Sequence, residues 1–167
     1  MNVLFVCLGN ICRSPTAEGV FRKLVLESGL SGELGVDSAG TNGFHIGQAP
    51  DPRSIAHAAQ RSIDLTTLRG RQVVPADFER FDYVIAMDND NLRQLKALCP
   101  QQFSGKISLL LAYGDNTQYR EVPDPYHGEA ADFEVVLDLI VSGCRGLMSH
   151  IAAHRQTPAN TNLMQQQ

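Results

Sequence analysis

Cys7 and Arg13 stand six residues apart in Cys7-Leu8-Gly9-Asn10-Ile11-Cys12-Arg13-Ser14-Pro15, and the residues between them are of the types that build an anion cradle. A loop this short must curl. Gly9 and Asn10 most readily take left-handed backbone angles, so successive N–H groups of Leu8, Gly9, Asn10, Ile11 and Cys12 can converge on one point. A helix opening at Ser14-Pro15 adds its positive end. Arg13 supplies a planar fork fitted to two oxygens of a phosphate, a geometry that lysine lacks. The same surroundings favour thiolate over thiol, which makes Cys7 the expected nucleophile at neutral pH. Ser14 is expected to do two jobs, capping the helix with its oxygen while its O–H donates to the Cys7 sulfur. In-line phosphoryl transfer also needs a proton donor opposite the attacking sulfur, on a different loop. The candidate is Asp124 in Glu121-Val122-Pro123-Asp124-Pro125-Tyr126-His127, where two prolines stiffen the backbone and Tyr126 sets an aromatic face beside the carboxyl.

These side chains need elements to hold them. Val3-Leu4-Phe5-Val6 is a continuous β-branched and aromatic run, as in a strand buried on both faces, and it places Cys7 at its carboxyl end. Ser14 and Pro15 open a helix whose apolar face runs to Gly29. Further strands are expected at residues 34–38, 82–87 and 106–111, and helices at 52–61 and 89–98. Phe133, Leu137, Ile140, Cys144, Leu147 and Ile151 recur in steps of four and three, one face of a long amphipathic helix that Gly143 and Gly146 weaken without ending. Alternating strands and helices imply an α/β fold: a single-domain, three-layer α/β/α arrangement with a central, mostly parallel, four-stranded twisted sheet and helices on both faces. Ligands of such folds sit beyond the carboxyl ends of the strands. The domain is expected over residues 1–155, and the polar, aperiodic residues 156–167 are expected to be a disordered tail.

The 167 residues, 43% of them hydrophobic, suffice for one domain with a real core. With 14 basic against 18 acidic residues the net charge is -4, which disfavours a nucleic-acid or anionic-membrane surface, so any anion must be held by a local site. No basic segment precedes the first apolar run and no stretch approaches 18 apolar residues, so neither a signal peptide nor membrane insertion is expected. Four scattered cysteines do not make a disulfide scaffold, and a cytoplasmic, reduced protein is expected. No spacing of Cys and His suits zinc.

Taken together, the segments Cys7 to Glu18, Asp37-Ser38-Ala39-Gly40-Thr41, Phe44-His45-Ile46-Gly47 running to Asp51-Pro52-Arg53, Phe81 to Asp88 and Asp124-Pro125-Tyr126 follow one another in a known order. In this the chain resembles the low-molecular-weight protein tyrosine phosphatases over most of its length. The resemblance implies that Cys7 attacks phosphorus, that Arg13 and the loop amides bind the three non-bridging oxygens, and that Asp124 protonates the departing phenolate. A cysteinyl-phosphate intermediate would form, with Asp124 then acting as base for the hydrolytic water, so that neither a metal nor an organic cofactor is needed. Asn10 would hold the loop's shape, and Phe44 and Tyr126 would wall the phenyl ring, with His127 at the rim. The partner implied is a phosphotyrosine-containing protein; bacterial members commonly pair with tyrosine autokinases. The chain departs from the family's commoner residues at Phe44, at His127 and at Leu68, where many members carry a His in the network supporting the loop.

Cys12 is expected to form a reversible disulfide with Cys7 that protects the thiolate from further oxidation. The remaining histidines, Cys99 and Cys144 read as structural or surface residues, and Asp88 as a helix cap. Three rival functions are open at this level. A protein arginine phosphatase would carry a smaller polar residue where this chain has Ile11. An arsenate reductase would need resolving thiols that Cys99 and Cys144 do not offer. A phosphate-binding module without turnover would need neither Cys7 nor Asp124.

Overall fold

In a computed structural model that describes residues 1–155, four strands form one sheet in the order β2-β1-β3-β4, every neighbouring pair parallel. The strands are β1 (Asn2–Cys7), β2 (Gly35–Gly40), β3 (Tyr83–Ala86) and β4 (Ile107–Leu109). The helices are α1 (Arg13–Glu27), α2 (Pro52–Ala59), α3 (Asp77–Arg80), α4 (Asn89–Leu98) and α5 (Ala130–Arg155). The expected tail at residues 156–167 lies outside the described residues.

β1 is central and fully buried from Val3 to Val6, which is why its sequence is apolar at every position rather than at alternate ones. Its two faces serve two cores. Val3, Phe5 and Cys7 face α1, α2 and α5, while Leu4 and Val6, beside Val84 and Ala86 of β3, pack with Phe78 of α3 and Leu95 of α4 on the other face. Helices therefore cover both faces of the sheet. From β1 the chain moves to one side through α1 to reach β2, then to the other side to reach β3, so the strand order reverses at the carboxyl end of β1. A crevice opens at such a switch point, and Cys7 stands in it.

α5 buries the six residues that its spacing marks, along with Val136, Leu139 and Gly143. By length and composition it could cross a bilayer, yet that apolar face is packed in the core against α1 and α2. Gly143 and Gly146 are more than weak points. They admit the turn at Leu110–Ala112 to the helix surface, where a methyl at Gly143 would meet the Leu110 side chain and one at Gly146 the Tyr113 carbonyl.

Several boundaries differ from the sequence reading. The fourth strand stops at Leu109, and Leu110–Ala112 is a 3-10 turn; Leu110 and Leu111 are buried there, and an apolar run looks the same in a strand as in a buried turn. β2 runs on to Gly40, and α2 ends at Ala59. The short helix α3 was not foreseen, four residues being too few to show a period. The sheet is wholly parallel.

Gly146→Ala is expected to lower stability by about 1–3 kcal/mol, because overpacking against a backbone carbonyl outweighs the helix-propensity gain of about 1 kcal/mol. Urea unfolding monitored by circular dichroism checks this, and an unchanged midpoint would contradict it.

Candidate active site

Beyond β1 the chain turns through residues 8–12 into α1. The carbonyls of this turn are tied outward: Thr41 N–H donates to Cys7 O at 2.9 Å, Asn42 N–H to Leu8 O at 3.0 Å and Asp51 N–H to Ile11 O at 2.8 Å. The Thr16 hydroxyl donates to Cys12 O at 2.6 Å. Among the described residues, the N–H groups of residues 8–13 meet no acceptor. Six consecutive unpaired donors on a curled backbone form an anion nest.

The curl rests on Asn10, whose φ is 57°. Gly9 was expected to share the left-handed region and does not; it is glycine because a methyl there would crowd His45 at 3.1 Å. Asparagine rather than glycine suits residue 10 because its amide is fully used. Oδ1 accepts from Arg71 N at 2.9 Å, while Nδ2 donates to Ser14 Oγ at 2.8 Å and to Ser38 Oγ at 3.0 Å. Ser38 donates in turn to the buried carboxylate of Glu18 at 2.5 Å. Burial raises the Glu18 pKa, against the pull of Ser38 and Arg22. Leu68, where many members of the resembling family have a His, simply packs on the core, and the loop is braced through Ser38 and Glu18 instead.

Ser14 does not cap α1, contrary to expectation. Its hydroxyl lies 3.1 Å from Cys7 Sγ, accepts from Asn10 and is 3.3 Å from Ala39 O. No side chain caps this helix start, so its first N–H groups are left free for a ligand.

Arg13 is 2% exposed and joins three segments. Its Nη1 donates to Asp88 Oδ2 at 2.6 Å and to Val122 O at 3.1 Å, and its Nη2 lies 3.4 Å from Asp124 Oδ2. Burial acts to lower the guanidinium pKa, but Cys7, Asp88 and Asp124 outweigh it and leave it raised. Asp88 is the functional residue that the sequence reading undervalued. It is the expected cap of α4, accepting from Asn91 N at 2.8 Å through Oδ1, yet its other oxygen grips Arg13. An Asp at the carboxyl end of the strand beside β1 was the available signal.

Asp124 stands across the cavity, its side chain 44% exposed, with Oδ1 accepting from Tyr126 N at 3.1 Å. The cavity measures about 280 Å³ and is lined by Cys7, Leu8, Gly9, Ile11, Cys12, Arg13, Phe44, Asp124, Tyr126 and His127, with Asn42 and His45 in addition. Asn10 and Ser14 stand behind its wall as braces. Phe44 is 82% exposed and Tyr126 lies edge-on to His127, their centroids 4.9 Å apart. His45, read as structural or surface, belongs to the lining, its Nδ1 2.9 Å from Gln48 Oε1. Cys99, at the C-cap of α4, and the buried Cys144 of α5 do not line it. Burial pushes the Cys12 thiol up to about 12, opposed by a hydrogen bond to Ser54.

The family model for low molecular weight phosphotyrosine protein phosphatase matches residues 2–157. The low molecular weight protein-tyrosine-phosphatase YfkJ of Bacillus subtilis is 40% identical over 156 residues, 93% of this chain and 99% of that protein. Among solved structures, a protein tyrosine phosphatase from Entamoeba histolytica with Hepes in its active site superposes with a TM-score of 0.90 at 39% identity, covering 93% of this chain and 99% of the other. A Drosophila arginine phosphatase superposes with a TM-score of 0.84 at 34% identity, covering 90% and 98%.

With its pKa near 12, Cys12 should resist iodoacetamide from pH 6 to 9 while Cys7 is alkylated, and inorganic phosphate should protect Cys7. Peptide mass mapping checks this; a Cys12 adduct forming first would contradict it.

Proposed function

The chain belongs to the low molecular weight phosphotyrosine protein phosphatase family, and from that premise we propose that it hydrolyses phosphotyrosine through a cysteinyl-phosphate intermediate. The observation that carries the reading is the nest: six unpaired N–H groups next to Cys7, with the Arg13 fork and the Asp124 carboxylate lining the same cavity. Those donors fit the three non-bridging oxygens of a phosphate monoester and strengthen as charge builds on them in the transition state.

Cys7 Sγ, hydrogen-bonded by Ser14, attacks phosphorus as the bond to the phenolic oxygen breaks, and Asp124 gives that oxygen its proton. The S–P bond is then broken by water, which loses its proton to the Asp124 carboxylate, releasing phosphate and the Cys7 thiolate. Every proton and charge in these steps is handled by the chain's own groups, so activity is expected in EDTA. Phe44 and Tyr126 hold the aryl ring, and His127 meets the substrate at the rim. Cys12, a protonated thiol in the same cavity, can condense with a Cys7 sulfenic acid to a disulfide with loss of water, shielding Cys7 from further oxidation.

The substrate in the cell is then a phosphotyrosine protein, with a tyrosine autokinase as the family-level candidate. The likeness to an arginine phosphatase supports a second reading, against which stands Ile11, whose branched apolar side chain lines the cavity.

The test is hydrolysis of p-nitrophenyl phosphate and of phosphotyrosine, phosphoserine and phosphoarginine peptides in EDTA. Turnover of the aryl esters is expected, abolished by Cys7→Ser and reduced about 10²-fold or more by Asp124→Ala with binding retained. Preference for phosphoarginine would move the function to the second reading, and no turnover of any substrate would leave a binding module.

A further inference from the structure

Residues 124–128 are thinly held. Among the described residues, two hydrogen bonds tie this segment to other elements: Arg13 Nη2 to Asp124 Oδ2 at 3.4 Å and Arg53 Nη2 to the Tyr126 carbonyl at 3.0 Å. The first is long, and it engages a guanidinium whose donors are wanted by the phosphate. The second has no part in the chemistry described above.

Arg53 stands at the second position of α2 and is built into its place. Its Nε and Nη2 donate to the two oxygens of Asp51 at 3.0 and 2.8 Å, and its guanidinium lies 4.6 Å from the centre of the Phe133 ring and 5.6 Å from that of Tyr126. Asp51 caps α2 by accepting from Arg53 N at 2.8 Å, and Arg53 holds the Asp51 carboxyl below the usual carboxylate range. The N–H of Asp51 donates to Ile11 O, inside the phosphate-binding loop. An unbroken line of hydrogen bonds therefore runs from Ile11 through Asp51 and Arg53 to the Tyr126 carbonyl, and Tyr126 N–H holds Asp124 Oδ1.

We propose that Arg53 is a positioning residue: by clamping the Tyr126 carbonyl to the phosphate-binding loop through Asp51, it sets the Asp124 carboxyl over the leaving oxygen. The proposal rests on the reading of Asp124 as the acid. Proton donation needs hydrogen-bond reach, and a misplacement of about 1 Å can cost on the order of 10²-fold. Only a planar fork serves Asp51 and the Tyr126 carbonyl at once while stacking on Phe133; a lysine ammonium is a single point of charge.

The experiment compares kcat/KM for phenyl phosphate with that for p-nitrophenyl phosphate, whose more acidic phenol departs with little need of a proton. The proteins are the parent, Arg53→Met, Arg53→Lys, Asp124→Ala and the Arg53→Met/Asp124→Ala double variant, each checked for an unchanged thermal transition. Arg53→Met keeps an apolar cover over Phe133 and removes the donors. Its expected loss is roughly tenfold on phenyl phosphate and about twofold on p-nitrophenyl phosphate, a part of the ~10²-fold that an acid supplies. Arg53→Lys should lose selectively in the same sense by a smaller factor, and it carries the test should the methionine variant unfold. In the double variant the Arg53 change should add nothing to the loss caused by Asp124→Ala.

Equal losses on the two esters, or losses that multiply in the double variant, would overturn the role of Arg53 while leaving the acid in place. A parent that turns over neither ester would overturn the reading beneath it, and the proposal with it.

Discussion

Peptide groups have two ends, and at the end of β1 the fold uses one to aim the other. The carbonyls of Cys7, Leu8, Ile11 and Cys12 are each engaged from outside by Thr41, Asn42, Asp51 and Thr16, so the turn presents its N–H groups to the hollow. An unpaired buried donor is costly on its own. Here the cost falls on a row of them, and it can persist because the surrounding bonds overdetermine the turn. The peptide dipoles are already oriented, so an anion entering the hollow would require little reorganisation of them.

Arg13 extends that constraint to the other side of the cavity. A nearly buried guanidinium must be neutralised and hydrogen-bonded, and two segments supply what it needs: Asp88 at the start of α4, and the Val122–Asp124 stretch. The demand of one charge for partners thus brings the loop of Asp124 to the cavity that Cys7 lines. Asp88 earns its place twice, since the same carboxylate starts a helix and fixes the fork.

The site grades from rigid to exposed. At its floor, Cys7 ends a strand shared by two cores, and Asn10, Ser14, Ser38 and Glu18 brace the loop from behind. At its rim, Phe44 and Asp124 stand well out in solvent. Under the proposed function the floor would meet the group common to every phosphate monoester and gain from being fixed. The rim would meet side chains that differ between substrates, and the Arg53–Asp51 pair ties the rim's Tyr126 carbonyl to the loop below.

Much was legible in the sequence because it depends on local pattern. The apolar run of β1, the four-and-three spacing of α5, and the types of residue from Cys7 to Pro15 named the parallel α/β fold and the cradle. The two flanking prolines and the neighbouring Tyr126 marked Asp124 as the candidate acid, and it lines the same cavity as Cys7. What the sequence could not carry were the choices that depend on what lies across space. Ser14 is not the cap because α1 begins one residue earlier, with Cys12 at its N-cap, and the Ser14 hydroxyl meets the Cys7 sulfur and the Asn10 amide instead. Gly9 is small for His45 and Gly146 for the Tyr113 carbonyl, neighbours far along the chain that no local pattern records. Asp88 and His45 read alone as a cap and as a structural or surface residue, and nothing local gave Arg53 a role. Only the tertiary structure set His45 in the cavity wall, Asp88 against Arg13 and Arg53 against the Tyr126 carbonyl, because hydrogen bonds and ion pairs act over a few ångströms of space regardless of how much chain lies between the partners.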